Sequence, residues 1–309
     1  MTVLIYPSHG FAPDVQDHID VDEPVIHADD RETFEDNLSD ADIVITNRWD
    51  HAWDGELDHI DLIQISSAGY DHLPVDTFHD HGVRVANASG VHAEPIAEHV
   101  FAYMLGLERR VLTSFQAQQR KEWLPWDDDS PGELAGKTLT VIGVGAIGRE
   151  IAAKARTFGM TINGLDPDDT AADHVDERFS PSELEQAVSD ADYIVLACPL
   201  NDATEGIIGQ DAFTAMPDHA TLVNIARGEI IEEQALLDAL GDDMIGSAVL
   251  DVFHDEPLPE DSPLWERDDV IITPHIAGLT PRYGERLAAL FHDNLEAFRG
   301  GDEMPTELS

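Results

Sequence analysis

The sequence predicts an α/β protein built from two doubly wound parallel-sheet domains, the first of them discontinuous. Three observations carry that prediction. Short, β-branched apolar runs alternate with longer helical patterns, as a parallel sheet wound with helices requires. The chain has 309 residues, and a prior of roughly 150 residues per domain makes that two domains. Hydrophobic residues make up 42% of it, enough for sizeable cores and above a disordered composition.

The elements follow in order. Strands are expected at 3–6, 43–46, 62–66 and 83–86. An amphipathic stretch then runs over 95–121, too long for an ordinary connecting helix, with Pro95 in its first turn, where the missing N–H costs nothing. A second set of strands is expected at 139–144, 161–165, 193–197, 222–225, 247–251 and 270–273. Helices lie between them, at 149–158 and 182–188 among others; Ser180 and Glu183 form a capping box before the second. A last helix, 282–299, is expected to return to the first domain. The predicted domains are therefore 1–97 plus 282–309, and 98–281.

Charge narrows the function. Asp and Glu number 63 against 17 Lys and Arg, a formal charge of −46. Nucleic acid and anionic membrane surfaces attract basic patches, so neither is expected as a partner. No apolar run is long enough to span a membrane, and residues 1–6 read as a strand, not a signal peptide. Cys198 is the single cysteine, which excludes an intramolecular disulfide framework and points to the cytoplasm. It follows an apolar strand and reads as a small buried hydrophobe without redox role.

Gly143-Val144-Gly145-Ala146-Ile147-Gly148 is a G-x-G-x-x-G turn between a strand and a helix pattern. Its first glycine permits the tight turn, its second lets backbone approach a pyrophosphate, and its third packs helix on strand. The helix start offers free N–H groups to phosphate. Asp166 ends the next strand at the spacing of an acid that binds ribose hydroxyls and disfavours a 2′-phosphate. A dinucleotide, NAD(H) or NADP(H), is the cofactor expected; the choice between the two stays open.

Three more segments follow late strands and carry unusual polar residues: Arg227, Glu256 and His275. Ends of parallel strands open onto the ligand crevice. An arginine, a carboxylate and a histidine suit hydride transfer to a 2-oxoacid. The guanidinium orients the oxygens, the imidazolium delivers a proton, and the carboxylate favours the charged imidazole. Singly, each has a plain reading as a surface or packing residue.

Taken together, the segments resemble the D-isomer-specific 2-hydroxyacid dehydrogenase family. Asn224-Ile225-Ala226-Arg227-Gly228 is similar to its N-x-A-R-G signature, and 251–259 to its D-V-F-x-x-E-P-L block. Thr273-Pro274-His275-Ile276-Ala277-Gly278 completes the set. The resemblance implies two Rossmann-like domains, with Arg227 as substrate binder, Glu256 as modulator of the imidazole and His275 as acid/base. It also implies cofactor contacts from Pro199, Thr204, Ile225, Ala226, Asp251, His275 and Gly278. Ser66 to His72 resembles the family's substrate loop, so the Ala68 and Gly69 amides are expected to grip the substrate carboxylate.

Arg48 and Trp49 are expected to line the cleft. Trp123 and Trp126 resemble aromatics that cross a dimer interface in relatives, with local packing as the equal alternative; a homodimer is expected. His79-Asp80-His81 lacks metal-site spacing, and no metal is expected. With three lysines kept (Lys121, Lys137, Lys154), the composition resembles that of haloarchaeal cytoplasmic proteins. The expected activity is NAD(P)-dependent reduction of 2-oxoacids to D-2-hydroxyacids. Glyoxylate/hydroxypyruvate reduction, or a nicotinamide-binding regulatory role on the same fold, are the alternatives.

Overall fold

The computed structural model describes residues 1–6, 15–124 and 130–308. They form two compact units, 1–92 with 279–309, and 93–278. Among the described residues both sheets are wholly parallel.

The first unit holds β1 (Val3–Tyr6), β2 (Val25–His27), β3 (Ile43–Thr46), β4 (Leu62–Ile65) and β5 (Arg84–Ala86), in the order β2-β1-β3-β4-β5. Strands β1, β3 and β4 are buried along their whole length, as central strands covered on both faces must be. Their apolar runs are what makes them visible in the sequence. β2 is a three-residue edge strand, half-exposed, and its Val-Ile-His run carries no such signal. The helices here are α1 (Val15–His18), α2 (Arg31–Leu38) and α3 (Val75–Asp80). Asp30 caps α2 by accepting from the Thr33 N–H at 2.8 Å.

The second unit begins with α4 (Ala93–Glu108) and α5 (Val111–Arg120). The long stretch expected as one element is thus two helices, broken where Arg110 takes the left-handed backbone at φ 54°. The whole of α4 belongs to this unit, because it packs along α6 (Ala146–Thr157). The strands are β6 (Thr138–Ile142), β7 (Thr161–Leu165), β8 (Glu177–Phe179), β9 (Tyr193–Leu196), β10 (Thr221–Asn224), β11 (Ser247–Leu250) and β12 (Val270–Ile272). Their order, β12-β11-β10-β9-β6-β7-β8, reverses direction between β6 and β9. Dinucleotides bind at such a switch point, outside the carboxyl ends of the strands. Helices α7 (Leu184–Val188), α8 (Gln210–Ala215) and α9 (Glu233–Gly241) cover the sheet. The Ser180–Glu183 capping box is present, the Ser180 N–H donating to Glu183 Oε2 at 2.8 Å.

The chain then returns to the first unit as α10 (Tyr283–Gly300), whose Leu287, Phe291 and Leu295 are fully buried. Asn294 is buried as well, and its amide donates to Gln64 Oε1 of β4 at 2.8 Å. Two buried side-chain amides that satisfy each other tie the C-terminal helix to the first sheet.

Candidate active site

The glycine turn leaves β6 at the switch point. Gly143 has φ 94°, and a Cβ there would stand 2.5 Å from the Cys198 nitrogen. Only glycine fits both demands. A Cβ on Gly148 would meet the Gly143 carbonyl at 2.1 Å, so this glycine lets α6 lie close against the turn. Gly145, in contrast, has nothing within 4 Å of that position. The turn is closed on its inner side and open where a phosphate would approach. Helix α6 starts at Ala146, three residues before the expected start, so Ala146, Ile147 and Gly148 form its first turn, with N–H groups that have no intrahelical acceptor. These features fit a dinucleotide's pyrophosphate.

Asp166 follows β7 and uses both carboxylate oxygens on backbone. Oδ2 accepts from the Val144 N–H at 2.7 Å and Oδ1 from the Asp168 N–H at 2.8 Å. It braces the glycine turn itself, and each oxygen keeps a lone pair for a ribose hydroxyl. In the loop after β9, Thr204 donates its hydroxyl to the Pro199 carbonyl at 2.6 Å and accepts from the Asn201 N–H at 2.9 Å, which holds the loop that carries Pro199. Cys198 is buried, and burial pushes its thiol up to about 11.

Asp251, after β11, is buried and accepts three hydrogen bonds. Thr273 Oγ1 donates at 2.6 Å, the Ile276 N–H at 3.0 Å and the Ala277 N–H at 2.9 Å. Since Oδ1 takes two of these and Oδ2 one, a lone pair remains on Oδ2. The Ile225 carbonyl, at the end of neighbouring β10, accepts from no donor among the described residues. An acceptor pair of this kind suits a carboxamide NH₂. Ala226 carries the Arg227 guanidinium, which donates to its carbonyl at 2.8 Å. A Cβ on Gly228 would lie 2.1 Å from the Phe253 carbonyl carbon, which explains that glycine by close packing of two loops.

Glu256 and His275 meet directly. His275 Nδ1 lies 2.8 Å from Glu256 Oε2, and Oε1 accepts from the Phe253 N–H at 3.0 Å. Nε2 of His275 has no partner among the described residues. His99, on α4, lies in an Ile96-Ala97-Glu98-His99 segment that resembles a family motif and reads from sequence as structural, with no place in the site. Thr273 gives its only proton to Asp251, so it accepts from His99 Nε2 at 3.2 Å. Burial holds the His99 imidazole below its ordinary value, against the opposing pull of Asp251.

In the first unit, the turn after β4 has an unusual division of its polar groups. The Ser66 carbonyl accepts from the Tyr283 hydroxyl. The Ser67 carbonyl accepts from the Ala88 N–H at 3.0 Å, and that of Ala68 from Asn87 Nδ2 at 2.8 Å. The Gly69 carbonyl accepts from Ser67 Oγ at 2.7 Å. The four N–H groups of Ser67, Ala68, Gly69 and Tyr70 have no acceptor among the described residues. Satisfied carbonyls with a run of open N–H groups make an anion-binding concavity.

The remaining expected residues divide. Trp49 packs edge-on against Trp53 and Phe78, with its indole donating to Asp54 at 2.9 Å, and is spent on the core of the first unit. Arg48 is exposed; its backbone pairs with Thr46 Oγ1, and its guanidinium has no partner among the described residues. His81 pairs with Asp58 at 2.9 Å. Trp123 is 90% exposed, and Trp126 lies outside the described residues.

Comparison with known proteins agrees with this geometry. The model of the D-isomer specific 2-hydroxyacid dehydrogenase, NAD binding domain, matches residues 101–277. A human glyoxylate reductase/hydroxypyruvate reductase is 34% identical over 81% of this chain and 77% of its own. A glyoxylate reductase of Pyrococcus furiosus is 31% identical over 89% of this chain and 84% of its own. Among solved structures, a D-isomer specific 2-hydroxyacid dehydrogenase of Xanthobacter autotrophicus, in complex with NADPH and MES, aligns over 100% of this chain and 98% of that one. Its TM-score is 0.88 at 24% identity, a likeness of fold.

Proposed function

The chain belongs to the D-isomer-specific 2-hydroxyacid dehydrogenase family, and on that premise we propose that it reduces small 2-oxoacids to D-2-hydroxyacids with His275 as acid/base. The family reaction is NAD(P)-dependent oxidoreduction. The observation that carries the residue assignment is the 2.8 Å contact between His275 Nδ1 and Glu256 Oε2. It fixes the ring, puts a proton on Nδ1 and leaves Nε2 to exchange a proton with a substrate oxygen.

When bound, the nicotinamide supplies the hydride for reduction or takes it in oxidation. The chain supplies everything else. Protonated His275 gives its Nε2 proton to the substrate oxygen, and Glu256 stabilises the cation before transfer. Arg227 binds the substrate oxygens with a planar fork of donors. The Ala68 and Gly69 amides receive the carboxylate. For the cofactor, the first turn of α6 takes the pyrophosphate, Asp166 the ribose, and Asp251 with the Ile225 carbonyl the carboxamide. Pro199, Ala226 and Gly278 line the same binding path.

Substrate size is read as small, in keeping with relatives named as glyoxylate reductases. Asp166 favours NAD(H) over NADP(H). Val111 and Phe115 stand four residues apart on α5, 57% and 60% exposed, with Trp123 close behind. That apolar patch supports a homodimer. The acid excess supports a cytoplasm rich in salt, and no described helix is long and apolar enough to cross a membrane.

A panel of 2-oxoacids of increasing chain length, run with NADH and with NADPH, tests the reading. Turnover should be greatest for glyoxylate and hydroxypyruvate, and His275→Ala should abolish most of it while cofactor affinity holds. Absence of turnover across the whole panel would favour a regulatory nicotinamide-binding role instead.

A further inference from the structure

The side chain of Asn87 sits just past β5, buried, and makes two hydrogen bonds that no other orientation of its amide could make together. Nδ2 donates to the Ala68 carbonyl at 2.8 Å, and Oδ1 accepts from the Ser89 N–H at 3.1 Å. Exchanging nitrogen and oxygen would set acceptor against acceptor and donor against donor. The amide is therefore fixed by its own partners.

Its backbone is held as firmly. The Asn87 N–H donates to the Thr306 carbonyl at 3.1 Å. The Asn87 carbonyl accepts from Thr306 Oγ1 at 2.7 Å and Gln64 Nε2 at 2.9 Å. Asn294 completes the brace, donating to Thr306 Oγ1 at 2.9 Å. Each of these groups is a neutral amide or hydroxyl with its bonds made, so the brace is rigid and insensitive to pH.

The consequence lies in the geometry of one peptide unit. In a trans peptide the C=O and the following N–H lie in one plane and point in opposite directions. A donor that captures the Ala68 carbonyl therefore aims the Gly69 N–H the other way. Ser67 Oγ stands 2.7 Å from the Gly69 carbonyl and 2.5 Å from Asn47 Oδ1, so its one proton is divided between two acceptors and the next unit is held less firmly. We propose that Asn87 is a positioning residue for substrate binding, which holds the Ala68–Gly69 peptide unit with its N–H turned out toward the carboxylate. This rests on the reading of that turn as the carboxylate receiver. Without Asn87 the peptide unit is free to rotate, and its N–H must be ordered when the anion binds.

Two measurements keep that reading and this inference apart. The first uses the unaltered protein with saturating NADH and follows the Gly69 amide proton by NMR as oxamate, a 2-oxoacid analogue, is added. The proton should move as it takes up the carboxylate; no movement would overturn both the receiver and the role given to Asn87. The second measures glyoxylate turnover, oxamate inhibition and NADH affinity for Asn87→Ala and Asn87→Asp. Both variants should raise KM and the oxamate inhibition constant by about tenfold, the worth of one hydrogen bond to a charged group. Turnover at saturation should stay within about threefold and NADH affinity should be unchanged. Asn87→Asp keeps the volume and the acceptor for Ser89 but exchanges the donor for a charged carboxylate oxygen, so the neutral Asn87→Ser is measured beside it and must show the same rise. If the Gly69 proton responds but KM and oxamate inhibition in the aspartate variant remain within about twofold of the parent, the turn holds the carboxylate without help from Asn87 and the inference is wrong.

Discussion

His275 meets Glu256 across 2.8 Å, Nδ1 to Oε2, from a left-handed backbone at φ 53°. A non-glycine residue held there is strained. The strain is borne because the His275 N–H donates to the carbonyls of both Asp251 (2.8 Å) and Thr273 (3.0 Å). Asp251, proposed to receive the cofactor carboxamide, thus also holds the backbone of His275, the proposed acid/base.

The first prediction concerns that pair. In Glu256→Gln, the His275 ring loses its charge-assisted hydrogen bond to a carboxylate, so turnover at saturation should fall by about tenfold or more. NADH affinity should hold, since among the described residues the Glu256 carboxylate bonds to His275 and the Phe253 N–H. Turnover in the glutamine variant equal to the parent's would remove Glu256 from its role.

Asp166 should decide cofactor preference at a structural cost. Asp166→Ser removes the carboxylate that opposes a 2′-phosphate, and the NADPH-to-NADH efficiency ratio should rise above the parent's. Because Asp166 also accepts from the Val144 and Asp168 N–H groups, Asp166→Ala should lose stability by about 1 kcal/mol per orphaned donor. Serine should lose less. A constant efficiency ratio in both variants would place the choice elsewhere.

His99 should make stability fall in mild acid. Burial holds its folded imidazole below the ordinary value, with Asp251 opposing. The unfolded chain therefore takes up a proton near pH 6.5 that the folded chain resists. Its contribution is complete above that pH and is lost as pH falls toward the folded value, with a ceiling slope of about 1.4 kcal/mol per pH unit. His99→Gln, neutral throughout, should flatten the fall in thermal stability between pH 7 and 5. Identical slopes for the variant and the parent would show that His99 titrates alike in both states.

Salt should strengthen both fold and cofactor binding. The formal charge is −46, and at 0.01 M salt the Debye length of ~30 Å lets distant carboxylates repel each other and the anionic cofactor. At 1 M it is ~3 Å, while contacts at the start of α6 act at short range and lose less. Thermal unfolding and NADH titration in KCl from 0.01 to 1 M should both improve, on the order of magnitude set by that screening. An optimum for both near 0.1 M would count against adaptation to high salt.

Much of this was legible in the sequence because the signals were local. The apolar runs of β1, β3, β4 and β9 mark strands buried on both faces. The three glycines at 143, 145 and 148 mark a turn between a strand and a helix by their spacing alone, although part of the demand on Gly143 comes from the Cys198 backbone, and the motifs around Arg227, Glu256 and His275 point to the proposed chemistry by residue type. Edge strands β2 and β8, three residues each, were invisible because half-exposed strands need no apolar run. The break between α4 and α5 was hidden because Arg110 carries no sign of the left-handed turn that it makes.

Tertiary structure alone decided the rest. Asn87 reaches Ala68 across 19 positions, and His99 reaches Thr273 across 174. Nothing in their neighbours announces either contact, since amides and imidazoles are common and their partners lie on other elements. The sequence by itself named the groups proposed for the chemistry; the fold decided which groups they touch. A reacting side chain is chosen for its own atoms, whereas a residue that positions another matters only through a hydrogen bond that exists after the strands have met.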